Sequence, residues 1–249
     1  MALDEWDAAL WEPTVQTASN SLASLRYGEV IPLHAKVASR NAAIAPAWQS
    51  VAKRGLDVTA AILLLVILSP LFLVLSVGVL LSSRGGIFFK HDRVGKDGRI
   101  FKLVKFRSMQ VGTHERIWSD ADAALAFMTE GFKLPGDHSA ITKFGRILRL
   151  TSLDELPQLW NVLRGQMSLV GVRPLVPVEV AARPQFEQQL YRSMRPGITG
   201  LWQVNGRSSL EHEDRCALDR EYVEEWSLGM DVSILLRTPL AVLRPQHTA

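Results

Sequence analysis

Two adjacent carboxylates, Asp154 and Glu155, are the residues of this chain whose types and spacing best suit chemistry. They lie in the segment RLTSLDELPQLWN, residues 149–161. An ionised aspartate can act as a nucleophile, and Mg²⁺ is commonly held by one or two carboxylates together with substrate phosphates. We therefore take Asp154 and Glu155 as candidate catalytic residues and as candidate ligands of a Mg²⁺ cofactor.

The same segment also has a purely structural interpretation. Ser152 and Glu155 match the S-x-x-E capping box found at many helix starts. With Ser152 as the cap, Pro157 would be the fifth helical residue and would delete a hydrogen bond; with Asp154 as the cap it is the third and deletes none. We expect Asp154 to be the cap, because the positive end of a helix favours ionised carboxylates. Helix capping without catalysis is the alternative.

Arginines surround this segment, because Arg149, Arg164, Arg173 and Arg195 lie within 46 residues of one another. Three of them adjoin glycine or proline, and rigid turns that present guanidinium groups suit bidentate capture of phosphate. Surface charge beside ordinary loops is the alternative for each of them. The sequence contains no zinc-type histidine or cysteine cluster, no Walker loop and no dinucleotide glycine fingerprint. We therefore expect a phosphate group to be bound by arginine side chains and by Mg²⁺ held on carboxylates.

The elements that must position these residues begin with a basic β-hairpin at residues 87–107, whose turn is the sequence GKDG. An 18-residue stretch of this hairpin contains seven basic side chains: Lys90, Arg93, Lys96, Arg99, Lys102, Lys105 and Arg107. Most of them fit a solvated strand face, but beside an apolar segment such a cluster can also hold lipid headgroups or phosphates.

Helical patterns follow at residues 142–149 and 157–163, and residues 209–228 predict an amphipathic helix. Residues 113–135 predict a surface helix with loops. Residues 232–243 are apolar but too short to cross a membrane, so we expect them to pack on the core or to lie in a membrane interface.

Residues 58–81 form an uncharged stretch of 24 residues, more than the roughly 20 that cross a hydrocarbon core. A buried helix of a soluble domain is the alternative. Ser69 and Pro70 at its centre favour a sharp bend, because proline removes a hydrogen bond and the serine hydroxyl can satisfy the freed carbonyl. Lys53 and Arg54 precede the stretch and Arg84 follows it, so the cytoplasmic preference of basic residues favours both ends on one side. From the residues alone, a re-entrant hairpin and a spanning helix both stay open.

The charge and the cysteine content of the chain limit the kinds of partner and compartment that we expect. The chain of 249 residues carries a net charge of +3, and its first 50 residues hold five acidic against three basic side chains. The basic surplus therefore lies in the remainder, where an anionic membrane face or a phosphorylated substrate is a natural partner. Residues 1–50 lack a secretory signal and predict a mobile tail. Cys216 is the single cysteine, so no intrachain disulfide forms and a cytoplasm-facing protein fits.

Several motifs in order resemble the bacterial sugar transferase family, the monotopic phosphoglycosyl transferases that initiate exopolysaccharide and glycan assembly. The small exopolysaccharide-initiating forms are the nearest. The resemblance covers about residues 53–238 and is carried by KRGLD (53–57), the break at Ser69 and Pro70, RVG (93–95), KFRSM (105–109), TSLDELPQ (151–158) and RPGITGLWQ (195–203).

The resemblance implies a ping-pong reaction. The carboxylate matching Asp154 attacks the sugar-linked phosphate of a UDP-sugar, UMP leaves, and undecaprenyl phosphate then takes the sugar phosphate. The neighbour matching Glu155 helps to hold Mg²⁺, and the position matching Arg149 contacts phosphate. The sugar is expected to be a hexose, glucose or galactose. The candidate phosphate-binding residues are Lys105, Arg107, Arg149, Arg173 and Arg195, and the candidate anchor residues are Lys53, Arg54, Ser69 and Pro70.

The family's anchor is a re-entrant helix, which favours that alternative here. The expected architecture is therefore α+β and mainly helical: a tail at residues 1–50, a re-entrant membrane hairpin at 51–84, and a small cytoplasmic catalytic domain at 85–249 with a β-hairpin and interfacial amphipathic helices. The expected location is the cytoplasmic face of the bacterial inner membrane, with membrane lipids as partners. A homodimer is left open.

Two positions depart from the family pattern. Val172 stands where the family has the first proline of Pro-Arg-Pro, and Ala140 stands where it has an arginine in an Asp-Pro-Arg-Ile-Thr run. A non-enzymatic membrane scaffold is a rival reading, against which the intact pair of carboxylates argues. A nucleic-acid-binding domain is a second rival. The charge of +3 and the lack of aromatic residues between the basic ones argue against it, so no nucleic-acid partner is expected.

Overall fold

The computed structural model describes residues 47–120, 138–206 and 210–243, together with Ala123 and Phe127. The predicted tail therefore lies outside the described residues except for its last four positions, which begin the first helix. Most of the predicted surface segment at residues 113–135 lies outside them too. Within the described part, many short helices surround two small sheets, which confirms the expected mainly helical α+β class.

The predicted anchor is a pair of helices, α1 (Ala47–Ile67) and α2 (Ser69–Ser82). Within the described residues, no single helix is long and apolar enough to cross a bilayer. The two helices pass that test only together, and they are bent by 65° where they meet. A sharp bend at this point is what the serine and proline predict.

The bend follows from the chemistry of the Ser69-Pro70 pair. Pro70 has no N–H to donate to the carbonyl of Val66, four residues earlier. The Ser69 hydroxyl donates to that carbonyl at 2.8 Å instead. Leu68 joins the two helices, and its own N–H and carbonyl still make helical hydrogen bonds to Leu64 and Phe72. The backbone thus turns without leaving the Val66 carbonyl unsatisfied.

The predicted hairpin is confirmed as β1 (Phe88–Val94) and β2 (Ile100–Phe106), an antiparallel pair in which Phe88 lies opposite Phe106 and Val94 opposite Ile100. A 3₁₀ turn at Lys96–Gly98 connects them. Both Asp97 and Gly98 have positive φ there, which is why the turn uses a short polar residue and a glycine.

The remaining elements are short. They are α3 (Thr113–Ser119), α4 (Lys143–Leu150), a 3₁₀ turn at Leu153–Glu155, α5 (Gln158–Leu163), β3 (Ser168–Val170), α6 (Pro177–Ala181), α7 (Gln185–Arg192), β4 (Gly197–Thr199), α8 (Leu201–Asn205), α9 (His212–Glu224) and α10 (Leu228–Leu243). The helices expected at 142–149, 157–163 and 209–228 are therefore present as α4, α5 and α9. Strands β3 and β4 pair in parallel, with Ser168 opposite Gly197.

Helix α2 packs against β2 and against α4, the helix that precedes the carboxylate segment. Leu75 and Val79 of α2 form a buried cluster with Phe106 of β2 and Leu148 of α4. Gly78 permits the close approach, because a Cβ at this position would lie 2.4 Å from the ring of Phe144. The second arm of the bent pair is thus part of the folded domain and not a detached appendage.

The basic residues before the apolar stretch, taken above as membrane-anchor residues, bind the domain. Lys53 Nζ lies 2.6 Å from Asp231 Oδ2 of α10 and donates to the Val170 carbonyl of β3 at 3.0 Å. Arg54 donates to the carbonyls of Val162 and Leu163 at the end of α5. The Val162 carbonyl also accepts from Gly165 N at 2.9 Å, so Arg54 adds a second donor there and supplies one to the Leu163 carbonyl at the helix end.

Helix α10 contains the apolar segment 232–243. Asp231, Ile234 and Ala241 face the core, whereas Leu236, Leu240 and Leu243 are 64–80% exposed. The helix therefore packs on the core along one face and presents an apolar ridge on the other.

Candidate active site

The two carboxylates lie in the 3₁₀ turn at Leu153–Glu155, between α4 and α5. Ser152 precedes the turn in the left-handed conformation, with φ of 56°, and makes no side-chain capping bond. Helix α5 begins at Gln158, with Pro157 as its N-cap residue. The prediction that Asp154 caps the helix is therefore wrong, and so is the capping box. The turn is closed instead by backbone bonds from Glu155 N to Ser152 O and from Leu156 N to Leu153 O.

Asp154 is the buried member of the pair, with 9% of its surface exposed. Burial raises the pKa of its carboxyl to about 6, against the opposing effect of Lys105. Glu155 contributes to this rise, and Arg149 opposes it. Asp154 thus remains mostly ionised at neutral pH, but it is less well solvated than a surface aspartate, which suits a nucleophile.

Glu155 is the more exposed member, and it is paired with the hairpin. Its Oε1 lies 2.6 Å from Nζ of Lys105 in β2, and the two side chains are 34% and 22% exposed. The predicted association of Lys105 with this site is therefore present in the structure. A lysine held at this distance keeps positive charge next to both carboxylates.

Asn161 in α5 fixes β2 against the carboxylate turn, and the sequence interpretation missed it. Its side chain is fully buried. Its Oδ1 accepts from Val104 N at 3.0 Å, and its Nδ2 donates to Lys102 O at 2.8 Å and to Gln166. The amide thus replaces a neighbouring strand at the open edge of β2. The available signal was an amide residue between the apolar residues Trp160 and Val162.

One of the predicted arginines, Arg149, acts on the carboxylate of Asp154, and a second, Arg173, acts in turn on Arg149. Arg149, in the last turn of α4, has its pKa lowered by burial and by Arg173, an effect that Asp154 opposes. Arg173 follows Val172, whose carbonyl accepts from Gly197 N at 2.8 Å. The arginine of the altered Pro-Arg-Pro motif is therefore carried by a segment held against β4, even though its first proline is missing.

Arg93 in β1 belongs to the same cluster, although the sequence interpretation did not assign it to the site. Burial lowers its pKa to about 10, Arg173 lowers it further, and Glu179 and Glu155 oppose the shift. The signal was present in the strand pattern. Arg93 lies opposite Phe101 and Lys105 lies opposite Phe89, so alternation places both basic side chains on one face of the hairpin.

The structure gives Arg107 and Arg195 structural contacts instead of bringing them to the carboxylates. Arg107 is buried and donates to the carbonyls of Ser83 and Arg84, just beyond the end of α2. Arg195 Nε donates to the Gly165 carbonyl at 2.7 Å, beyond the end of α5 that is farther from the carboxylates. Carbonyls at helix ends lack intrahelical partners, which explains why guanidinium groups are found there.

Ala140, the second departure from the family pattern, is buried in the turn before α4. Its carbonyl accepts from Gln110 N at 2.9 Å. This position therefore presents backbone and a methyl group where the family has a charged side chain.

The carboxylate pair fits a cation that takes its other ligands from substrate. Among the described residues, no group of three or more His, Cys, Asp or Glu side chains is arranged to hold a metal ion. Mg²⁺ typically binds through one or two carboxylates plus phosphate oxygens and water, so Asp154 and Glu155 are a sufficient protein contribution. Three basic groups, Arg93, Lys105 and Arg149, interact with these two carboxylates, and Arg173 acts on Arg93 and Arg149. This excess of positive charge suits a polyphosphate ligand.

Residues 48–245 match the family described as bacterial sugar transferase. The UDP-galactose-lipid carrier transferase of Erwinia amylovora is 43% identical over 197 residues, which cover 77% of this chain and 40% of that protein. The undecaprenyl-phosphate galactose phosphotransferase of Salmonella typhimurium is 42% identical over 195 residues, with coverage of 77% and 40%. The exopolysaccharide production protein ExoY of Sinorhizobium fredii is 42% identical over 195 residues, with coverage of 77% and 85%. The chain thus spans about 40% of the length of the first two relatives and most of the third.

Proposed function

This chain belongs to the bacterial sugar transferase family, and we propose that it transfers a sugar 1-phosphate from a UDP-sugar to undecaprenyl phosphate, releases UMP, and thereby initiates exopolysaccharide synthesis. The observation that carries the proposal is the buried Asp154 beside Glu155, with Lys105 and Arg149 acting on it. The relatives support the substrate class, because they include an undecaprenyl-phosphate galactose phosphotransferase and an exopolysaccharide production protein. The sugar is a hexose, galactose or glucose, and the galactose phosphotransferase among the relatives supports this class.

In the first half-reaction, a carboxylate oxygen of Asp154 attacks the phosphorus that carries the sugar. A new bond forms between that oxygen and phosphorus, the bond from phosphorus to the bridging oxygen breaks, and the electron pair leaves with UMP. No general base is needed, because the Asp154 carboxylate is already mostly ionised above its pKa of about 6. Arg149 and Lys105 neutralise charge that develops on the phosphoryl oxygens.

In the second half-reaction, an oxygen of undecaprenyl phosphate attacks the same phosphorus and the bond to Asp154 breaks. The electron pair returns to the carboxylate, so the enzyme is regenerated. Asp154 and Glu155 are the residues that would hold Mg²⁺, which when bound supplies positive charge to the diphosphate. Lys105, held 2.6 Å from Glu155, keeps that carboxylate directed into the site.

The bent pair of helices supports a re-entrant position in the cytoplasmic leaflet of the inner membrane. Within the uncharged stretch 58–81 of α1 and α2, ten large apolar side chains are at least 38% exposed: Ile62, Leu63, Leu64, Val66, Ile67, Leu73, Val74, Val77, Leu80 and Leu81. Such a surface needs an apolar partner. Lys53 near the start of the pair and the carbonyls of Ser83 and Arg84 at its end all bind the same domain. Both ends therefore belong on one side of a bilayer, where a cytoplasmic nucleotide-sugar and a lipid-borne phosphate can meet.

The proposal is tested by reconstituting the purified chain in lipid nanodiscs and measuring UMP release from a panel of UDP-sugars, with and without undecaprenyl phosphate and Mg²⁺. We expect UMP release from UDP-galactose or UDP-glucose and appearance of the sugar in the lipid fraction. If no UDP-sugar yields UMP in the presence of Mg²⁺ and acceptor, the protein is a membrane scaffold instead.

A further inference from the structure

The end of strand β1 is fastened to the segment that carries Arg173. Val94 N donates to the Leu175 carbonyl at 3.0 Å. The hydroxyl of Tyr191 accepts from Leu175 N at 2.9 Å and donates to the Val94 carbonyl at 2.6 Å. Tyr191 is only 4% exposed, so this connection is protected from water. Arg93 immediately precedes Val94, and Arg173 lies two residues before Leu175. The connection between Val94 and Leu175 therefore keeps the two arginines close together.

This arrangement keeps two positive charges together, with the carboxylates of Glu155 and Glu179 near Arg93 and that of Asp219 near Arg173. The Nε of Arg93 is buried and has no hydrogen-bond partner. None of the ion pairs found among the described residues involves Arg93 or Arg173. Arg173 also lowers the pKa of Arg93, after the larger effect of burial. Two guanidinium groups kept close together, one of them with a buried Nε that has no partner, are stabilised when an anion binds between them.

We propose, on the basis of the proposed function, that Arg93 and Arg173 form a second phosphate subsite, separate from the one beside Asp154, which holds the phosphate of UMP and later the phosphate of the acceptor lipid. Arg149 is the arginine whose charge acts on Asp154, so it belongs to the phosphate that is attacked. Arg93 instead has Glu155 and Arg173 among the charged groups that act on it. Arg173 also acts on Arg149, so the two subsites are neighbours. Guanidinium groups are suited to bind a phosphate group with two parallel hydrogen bonds.

The geometry of phosphoryl transfer explains why one subsite serves two ligands. Attack and departure are roughly in line, so UMP leaves from the side of phosphorus opposite the Asp154 oxygen. When the acceptor oxygen forms its bond to phosphorus and the Asp154–phosphorus bond breaks, the acceptor must enter opposite Asp154 as well. The acceptor phosphate thus occupies the place from which UMP departed. A single anion-binding pair at that place would stabilise the leaving phosphate first and orient the attacking one second.

The first arm of the test measures UMP affinity, which needs no turnover. The full chain in detergent, as wild type and as Arg93→Gln, Arg173→Gln and Arg99→Gln, is titrated with UMP and with uridine. Arg99 is an exposed arginine of the same hairpin and serves as the matched control. We expect UMP to bind at least about 10-fold more weakly to the first two variants and normally to the control, because a charge-assisted contact is lost. Uridine, which has no phosphate, should bind all four proteins alike.

The second arm follows the acceptor. Enzyme that carries the labelled sugar phosphate is isolated, and the loss of label to farnesyl phosphate is timed for wild type, Arg93→Gln and Arg99→Gln. We expect at least about 10-fold slower transfer for Arg93→Gln alone. Arg93→Lys, which keeps the charge but not the fork of donors, should fall between Arg93→Gln and wild type and also covers the case in which the neutral variant does not fold.

Normal UMP binding by folded Arg93→Gln or Arg93→Lys would overturn the subsite, and so would an effect confined to only one of the two phosphate ligands. A wild-type protein that binds UMP through Arg93 but acquires no label would contradict the proposed function and leave the anion subsite standing. A wild-type protein that acquires label while the Arg93 variants behave normally would do the reverse.

Discussion

Lys53 in α1 and Asp231 in α10 form an ion pair of 2.6 Å that is almost completely buried, with side-chain exposures of 12% and 2%. Asp231 also accepts from Tyr222 and Trp226, so its charge is satisfied on several sides. The pair therefore joins the first arm of the apolar hairpin to the last helix of the domain. Breaking it removes the partner of a charge that cannot easily reach water.

The first prediction concerns this pair. Asp231→Asn should destabilise the fold by roughly 3 kcal/mol, because it leaves the Lys53 ammonium without its counter-charge. The double variant Lys53→Met with Asp231→Asn should lose less free energy of unfolding than the sum of the losses of the two single variants.

Asp92→Asn is the matched control, since it removes the partner of Lys102 in an exposed pair with exposures of 48% and 30%. We expect a change of less than about 1 kcal/mol for the control. Chemical denaturation in micelles gives these values, and equal losses from both aspartates would contradict the structural role of Lys53.

The second prediction concerns the pH dependence of stability. Burial raises the pKa of Asp154 from 3.8 to about 6, so its ionised form destabilises the folded state at neutral pH. Above about pH 6, Asp154→Asn should therefore have a larger free energy of unfolding than wild type, by an amount on the order of 2 kcal/mol, and should unfold at a higher temperature. This advantage should fade between about pH 6 and pH 4 as the wild-type carboxyl becomes protonated in both states. Thermal unfolding at pH 4, 6 and 8 tests this. A variant that is less stable than wild type at pH 8 would argue against a destabilised carboxylate.

The third prediction concerns Glu155 and the cation. A chelator should stop UMP release, and Mg²⁺ should restore it. Glu155→Gln should lose at least about 100-fold in kcat/KM for the nucleotide-sugar, because a neutral amide is a poor ligand for a hard cation. Higher Mg²⁺ should partly rescue this variant. Glu213→Gln in α9 is a surface control that should behave as wild type. Undiminished turnover of Glu155→Gln in the presence of chelator would contradict a role of Mg²⁺ in the reaction.

Much of the fold was predictable from the sequence because it depends on local rules. Alternation and the GKDG turn predict the hairpin, and the proline at position 70 predicts the break in the apolar segment. The roles of Arg54, Arg107 and Arg195 were not predictable, because a guanidinium group that binds helix-end carbonyls has the same local sequence as one that binds phosphate. Asn161 and Tyr191 act across distances of about 60 and 100 residues in the chain, on Val104 and Val94, and no local pattern reveals such partners.

The helix cap at Asp154 was wrong for a related reason. Pro157 does lie outside the helix interior, as its missing N–H requires. A separate 3₁₀ turn at Leu153–Glu155 precedes the helix, however, and the helix begins only at Gln158. That turn removes Asp154 from the helix end and buries it against Lys105 and Arg149. Tertiary packing therefore decides the ionisation of this residue, and the helix dipole does not.

The fourth prediction concerns topology. Single cysteines at Ser50 and Arg84, both exposed, are introduced into a Cys216→Ser background. Because these residues flank a hairpin whose two ends bind one domain, an impermeant thiol reagent should label neither in intact cells and both in inverted membrane vesicles. Labelling of only one of the two in intact cells would indicate a spanning helix.

The fifth prediction tests the central claim, that Asp154 carries the sugar phosphate between the two half-reactions. The reconstituted protein is incubated with Mg²⁺ and a UDP-sugar labelled in the sugar-linked phosphate, quenched without acceptor, and digested for mass spectrometry. We expect about one label per molecule on the peptide that contains Asp154, none on Asp154→Asn, and release of the label when undecaprenyl phosphate is added before the quench. Transfer to the lipid with no label ever detectable on the wild-type protein, or label retained by Asp154→Asn, would contradict the account.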